Sequence, residues 1–500
     1  MNQILSWSQA TELAAQLVMI DMPGPRVDED TQALLARYPV RALCLFRRNL
    51  LNESATQTLC GELRERLGPM ALLAIDQEGG PVSRATFVPV APPAMALGAL
   101  DSEVLARETG AAVARSLRHL GLNWNFAPLL DINNNPANPV ISERSFGDTA
   151  ERVTRLARAW MHGSLSEGVA TCVKHFPGHG DTHTDSHHAL PEVNKSMAEL
   201  EALELQPFRA LAPEAPAMMT AHIVYPQLDA DLPATLSRLW LTGVLRERLA
   251  FQGVIITDAL MMDAVKLRWG HAQAAVLALQ AGADMVLAQG SLEEQLAALD
   301  AIRDALLDGR LPLAQARQSA QRLDALAQRY PLQARPYRPG ERERDDAFLS
   351  ETWARSLTVL RGAKPPEGPL RVIAQGSVAG TGVSEAGLSL EGVKSLFAAE
   401  RDIVWHWVPD LQALQVEELP LDGRLNVLVS TPRKRLPKQA ACWPVHLQLL
   451  LWNPFQALDC HAPALISWGY HPAALVAVRE WLAGRGHTGG VPPVRALAEQ

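Results

Sequence analysis

No stretch of this chain is built to cross a bilayer. Its longest uninterrupted apolar runs fall short of the ~18–20 residues that a spanning helix needs. The opening MNQILSWSQATELAAQL has no basic start and no apolar core, so no secretory signal peptide is expected. Cysteine is scarce as well. There are five (Cys44, Cys60, Cys172, Cys442 and Cys460), odd in number, widely spaced and without a CxxC pair. Buried thiols in a reducing compartment fit that pattern, and the expected location is the cytoplasm. Clustered basic charge is also missing: 46 Lys and Arg face 54 Asp and Glu, for a net charge of −8. Phosphate neutralisation needs a concentrated basic face, so neither nucleic acid nor a membrane is an expected partner. There is no repeat of roughly 20–50 residues and no low-complexity tract. The glycines of GSVAGTGVSEAG (376–387) miss the GxGxxG spacing of a dinucleotide-binding loop.

What is present is a globular composition, 48% hydrophobic and 20% charged, in a chain too long for one ordinary core. Short apolar runs alternate with helix-like stretches through the first 300 residues. The runs are 15–22, 42–46, 72–76, 123–128, 171–176, 217–224, 254–259 and 284–289. Most are continuously apolar, as strands of a parallel sheet covered on both faces should be. Segments such as 101–120 and 271–282 read as the intervening helices. Eight such units predict a (β/α)₈ barrel over residues 1–329. The stretch YPLQARPYRPGERERDD (330–346) is rich in Pro and Arg and has no hydrophobic periodicity, so 330–364 reads as a linker. Five more strand-like runs, from 370–376 to 463–470, predict a smaller α/β domain at 365–500 with a mostly parallel sheet.

One stretch stands out. KHFPGHGDTHTDSHHALP (174–191) holds five of the 14 histidines, four of them (His175, His179, His183 and His187) at every fourth position. That spacing would align imidazoles on a helix for zinc. Pro177, Gly178 and Gly180 interrupt it, however, and Pro in a helix interior costs ~3 kcal/mol and Gly ~1 kcal/mol relative to Ala. The segment therefore reads as a strand, TCVKHF, running into a long loop. On a barrel such a loop lies at the C-terminal face, where active sites are built. A solvated loop rich in His by chance is the plain alternative.

Polar residues recur at the ends of other predicted strands. LLAIDQEGG places Asp76 at the end of the third, with Glu78 just beyond. Lys174 and His175 end the fifth, the sixth carries His222, and VIITDA ends the seventh with Asp258. A charge inside such a run is costly unless paired or solvated. Asp258 also reads as a helix N-cap and Asp76 as a turn residue, but carboxylates, a Lys and a His gathered at one rim are less easily explained by caps.

Together these residues resemble glycoside hydrolase family 3, in its β-N-acetylglucosaminidase branch. The matching stretches are LLAIDQEGGPVSR (72–84), ERSFG (143–147), KHFPGHGDTHTDSH (174–187) and GVIITDALMM (253–262), in the family's order and spacing. The resemblance implies that Asp258 is the nucleophile and that His187, with Asp185 as its partner carboxylate, is the general acid and base. It also implies that Asp76, Arg84, Arg144, Lys174 and His175 bind hydroxyls of the terminal sugar. His179, His183 and His188 are left as packing or hydrogen-bonding residues of the loop. The implied partner is a carbohydrate, a GlcNAc-containing glycoside or muropeptide. No metal or organic cofactor is implied, and the oligomeric state is left open. This chain has Pro81 where the branch often has Arg, and it extends well past the barrel. In the family's β-glucosidases the second domain supplies the acid/base, so a carboxylate from 365–500 is an alternative to the Asp185–Ser186–His187 element.

The chemistry suits these residue types. A retaining glycosidase normally pairs two carboxyl groups ~5–5.5 Å apart, and a carboxylic acid donor needs its pKa raised. A His, with a reference pKa of ~6.5, already titrates in the right range, and a neighbouring Asp favours its imidazolium. The expected activity is removal of terminal non-reducing GlcNAc, with muropeptides of cell-wall recycling as substrates. A phosphorylase, a β-glucosidase and a non-catalytic sugar-binding protein are the alternatives.

Overall fold

A computed structural model describes residues 5–184, 190–378 and 387–500. Its first sheet has eight parallel strands: Val18–Ile20, Ala42–Leu45, Leu72–Ile75, Trp124–Asn125, Ala170–Phe176, Ala217–Thr220, Val254–Ile256 and Val286–Leu287. The eighth pairs with the first, and the ring shuts where Ile256 bridges Met285. All eight predicted runs hold a barrel strand. Every strand residue is buried, which is why these segments read as continuous runs rather than as alternating ones. The helix predicted over 101–120 spans Glu103–Leu120. It starts where the Ser102 side chain accepts the Leu105 N–H and stops at Gly121 in the left-handed region.

The second sheet has six strands in the order Thr358–Leu360, Ala464–Ile466, Leu447–Leu450, Leu425–Ser430, Leu370–Gln375 and Ile403–Val408. The first pair is antiparallel and the other four pairs are parallel. Part of this unit packs directly on the barrel. Met95, Ala96 and Ala99 of the helix Ala94–Leu100 share one apolar cluster with Leu450, Phe455, Ile466 and Trp468.

Two expectations need correction. The stretch without hydrophobic periodicity runs into a helix, Glu341–Ser356. Ion pairs take the place of an apolar stripe in its first half. Arg115 grips Asp345 through hydrogen bonds of 2.8 and 2.6 Å, and Arg118 holds Glu341 at 2.9 Å. Buried Leu349 and Trp353 anchor the second half. The strand Thr358–Leu360 then joins the second sheet, so the range read as linker carries an edge strand. The other correction concerns the thiols: Cys44, Cys60, Cys172 and Cys460 are buried, whereas Cys442 is exposed. Among the described residues no helix is long and apolar enough to cross a membrane.

Candidate active site

The C-terminal ends of the barrel strands open into a cavity of about 400 Å³. Asp76 stands one residue beyond the third strand, Lys174 and His175 lie in the fifth, and Asp258 follows the seventh by two residues. All four line the cavity, with Glu78, Arg84, Arg144 and His179. Phe46, Val82, Phe126, Met219 and Leu287 supply apolar wall.

Lys174 is the hub of a charge network. Its ammonium lies 2.7 Å from Asp76 Oδ1 and 2.7 Å from Glu78 Oε1. The Arg144 guanidinium closes on Glu78 with two hydrogen bonds of 2.8 Å, and Arg84 approaches Asp76 at 3.7 Å. Burial alone would raise the Glu78 carboxyl, but Arg144 and Lys174 more than offset this and hold it well below the usual carboxylate range. Burial would likewise lower Lys174, yet Asp76 and Glu78 keep it above its ordinary value. The segment that carries Glu78 is fixed locally. The Gln77 side chain bonds both the N–H and the carbonyl of Ala85, and Asn125 bonds both backbone groups of Gln77. Gly79, at φ +115°, allows the turn, since a Cβ there would stand 2.5 Å from the Pro92 carbonyl oxygen.

Asp131 is a second centre. It is fully buried and lies 2.7 Å from His175 Nδ1, and it accepts the backbone N–H groups of His175 and His179 at 3.2 and 2.7 Å. Burial would raise its carboxyl, but His175 above all reverses this and leaves it lowered. His179 is pushed down to about 4 by burial and then by His175, so it is neutral at physiological pH. Its Nδ1 lies 2.8 Å from Thr182 Oγ1. The loop packs tightly here, as a Cβ on Gly180 would stand 1.6 Å from the Ile132 carbonyl oxygen.

Asp258 accepts the N–H of Ala259 at 2.8 Å. Fully buried His222 supports that backbone from behind, with its Nε2–H donating to the Ala259 carbonyl at 3.0 Å and Nδ1 lying 2.9 Å from Thr235 Oγ1.

Six of the residues singled out from sequence, Asp76, Arg84, Arg144, Lys174, His175 and Asp258, thus converge on one cavity. Asp185, His187 and His188 lie outside the described residues. His183 is exposed and lies 3.2 Å from Asn135 Nδ2. Sequence reasoning missed three contributors. Glu78 has no role evident from its place beside Asp76 in the sequence, although it neutralises both Lys174 and Arg144. Asp131 ends the apolar run NFAPLLD, the same signal that marked Asp76 and Asp258. His179, which the sequence marks only as a packing residue of the loop, lines the cavity.

The barrel's sequence and the fold of the whole chain have known relatives. Residues 10–326 match the model described as the glycosyl hydrolase family 3 N terminal domain. A β-hexosaminidase of Neisseria meningitidis serogroup C (strain 053442) is 38% identical over 280 residues, 54% of this chain and 77% of that protein. The solved structure of a glycoside hydrolase family 3 β-N-acetylglucosaminidase from Paenibacillus sp. str. FPU-7 superposes with a TM-score of 0.87 at 35% identity, over 97% of this chain and 98% of that one. The β-glucoside phosphorylase BglX superposes with a TM-score of 0.82 over 98% of this chain and 95% of that one. At 22% identity, that is a likeness of fold alone.

Proposed function

The chain belongs to glycosyl hydrolase family 3 and is a glycoside hydrolase, and we propose that it is a retaining, exo-acting β-N-acetylglucosaminidase. One observation carries this reading. Asp258 opens onto the same cavity as a set of paired cations and carboxylates that matches the hydroxyl-rich surface of a sugar. The Neisseria and Paenibacillus relatives support the choice of an N-acetylated sugar.

In this reading Asp258 attacks the anomeric carbon while the His187 imidazolium gives its proton to the leaving oxygen. A glycosyl-enzyme forms and the aglycone departs as an alcohol. Neutral His187 then takes a proton from water, the water attacks the same carbon, and Asp258 leaves, so two inversions give retention. Asp185 favours the imidazolium and orients the ring. Asp76, Arg84, Arg144, Lys174 and His175 hold the sugar hydroxyls. The assignment of the dyad rests on the D-S-H element of the sequence. The barrel at 1–329 is proposed as the catalytic domain, with 330–364 connecting it to the C-terminal domain at 365–500. Thr358–Leu360 goes with the latter by its strand pairing. Muropeptide fragments are the proposed natural substrates and the cytoplasm the proposed location, which the free, mostly buried thiols fit.

The test compares aryl β-N-acetylglucosaminide with aryl β-glucoside, each with and without phosphate. Faster turnover of the N-acetylated sugar to free sugar in both buffers supports the proposal, and a sugar 1-phosphate product would make the enzyme a phosphorylase. Asp258→Ala should abolish turnover. His187→Ala should release one burst of phenol from an activated glycoside and then stall until azide is supplied. Steady turnover by either variant would overturn its assigned role.

A further inference from the structure

Arg144 sits in a single helical turn, Ser142–Arg144, that takes hydrogen bonds from both the barrel and the second domain. Asn133 donates to the Ser142 carbonyl at 3.0 Å, and Ser142 itself stands at φ +43°, a left-handed conformation that a side-chain-bearing residue adopts only when its surroundings enforce it. The second domain adds to that enforcement. The fully buried Glu143 carboxylate accepts the Trp452 indole N–H through Oε1 at 2.9 Å. Its other oxygen has no hydrogen-bond partner among the described residues. Arg433 donates to the Val140 carbonyl at 2.5 Å, the same oxygen that accepts from Arg144 Nη1 at 3.0 Å. Arg435, held to Asp459 by hydrogen bonds of 2.7 and 2.6 Å, reaches the Pro136 carbonyl at 3.2 Å. Three side chains of the second domain therefore grip the 136–144 segment on either side of Val140, which lines the cavity with Arg144.

We propose that Trp452 and Arg433 are positioning residues, through which the second domain sets the aim of Arg144 into the sugar site. The proposal rests on the reading of Arg144 as a sugar-binding residue. The geometry gives a direct route. Moving Glu143 moves the neighbouring Arg144 backbone, and freeing the Val140 carbonyl from Arg433 releases the oxygen against which the Arg144 guanidinium is braced. A shift of about 1 Å in a positioning group far from the chemistry can cost on the order of a hundredfold in rate. Losing one hydrogen bond while packing is kept should cost less.

The experiment uses the full chain, an aryl β-N-acetylglucosaminide as probe, and the variants Trp452→Phe, Arg433→Gln, Arg144→Lys and the two doubles with Arg144→Lys. Trp452→Phe and Arg433→Gln should each lower kcat/KM by roughly tenfold, and in the Arg144→Lys background each should add less than about twofold. If Arg144→Lys is impaired while both second-domain variants keep kcat/KM within about twofold of the wild type, the proposal falls and the reading of Arg144 stands. Losses that multiply in the doubles would place the action of Trp452 and Arg433 elsewhere and also overturn it. An unimpaired Arg144→Lys would overturn the reading of Arg144 and the proposal together. Half-buried Arg433 keeps the test decisive if Trp452→Phe fails to fold.

Discussion

Replacing Lys174 with Met tests the network that organises the site. The Lys174 side chain is 2% exposed, with its ammonium 2.7 Å from both Asp76 and Glu78. Met nearly conserves the volume, so packing changes little and the loss is electrostatic. Removing one partner of a buried ion pair costs about 3–5 kcal/mol, because the remaining charge is left uncompensated. The two carboxylates are not equally exposed to that loss. Glu78 keeps both Arg144 hydrogen bonds, and the Asp76 side chain, 18% exposed, keeps Arg84 at 3.7 Å and contact with solvent. The lower end, about 3 kcal/mol, is therefore expected. An unfolding entropy of ~2.1 cal/mol/K per residue over the ~320 residues of a barrel is ~0.67 kcal/mol/K, so the melting temperature should fall by roughly 4–5 °C.

The pH dependence separates this explanation from a packing defect. A carboxyl depressed in the folded state, as Glu78 is, contributes stability above its unfolded pKa and loses it as the pH falls toward the folded pKa. Lys174 is raised, so its contribution is complete below its unfolded pKa and lost only in alkali. Both contributions are whole at pH 7, and the Glu78 part fades below about pH 4.5. Thermal unfolding followed by circular dichroism should show the full Lys174→Met deficit at pH 7 and a smaller one near pH 4. A melting temperature unchanged within about 1 °C at pH 7, or a deficit that widens in acid, would refute the reasoning.

Three further outcomes are expected. His179, at about 4, is neutral through the physiological range, so His179→Gln should keep the near-neutral inflection in the pH profile of kcat/KM, and its disappearance would make His179 the titrating base. Asp131→Asn should cost about 1–3 kcal/mol through mispairing with His175 Nδ1, a loss that narrows in acid because the native carboxyl is depressed; equal melting curves at pH 7 would contradict this. Gly180→Ala should destabilise by several kcal/mol, since its Cβ would meet the Ile132 carbonyl oxygen at 1.6 Å, and a normal melting temperature would show that the loop yields.

The barrel was legible because each of its strands is buried on both faces, which leaves a continuous apolar run in the sequence. The rim was legible for the complementary reason: Asp76, Lys174 and Asp258 interrupt or end such runs, where a charge is costly without a partner. What escaped depends on partners distant in sequence. The helix Glu341–Ser356 has no apolar stripe in its first turns because Arg115 and Arg118 hold it, more than 200 residues away. Glu143 reads as one more charge beside Arg144 until Trp452 is brought to it across 309 positions. Strand Thr358–Leu360 is three residues long and lies at an edge, too short for any period to show.

The way charge is distributed bears on how Asp258 would act. Lys174 bridges Asp76 and Glu78, Arg144 holds Glu78, and Arg84 lies 3.7 Å from Asp76. Asp258 takes a backbone hydrogen bond from Ala259, whose carbonyl His222 holds from behind. In the proposed reaction Asp258 must meet the positive character developing at the anomeric carbon in an oxocarbenium-like transition state. With its charge committed to Asp76 and Glu78, Lys174 would hold those two carboxylates in place for the proposed sugar contacts. In that reading Lys174 serves both as a sugar contact and as the counter-ion of Asp76 and Glu78. Its replacement should lower kcat/KM as well as stability, and an unchanged kcat/KM in Lys174→Met would count against that reading.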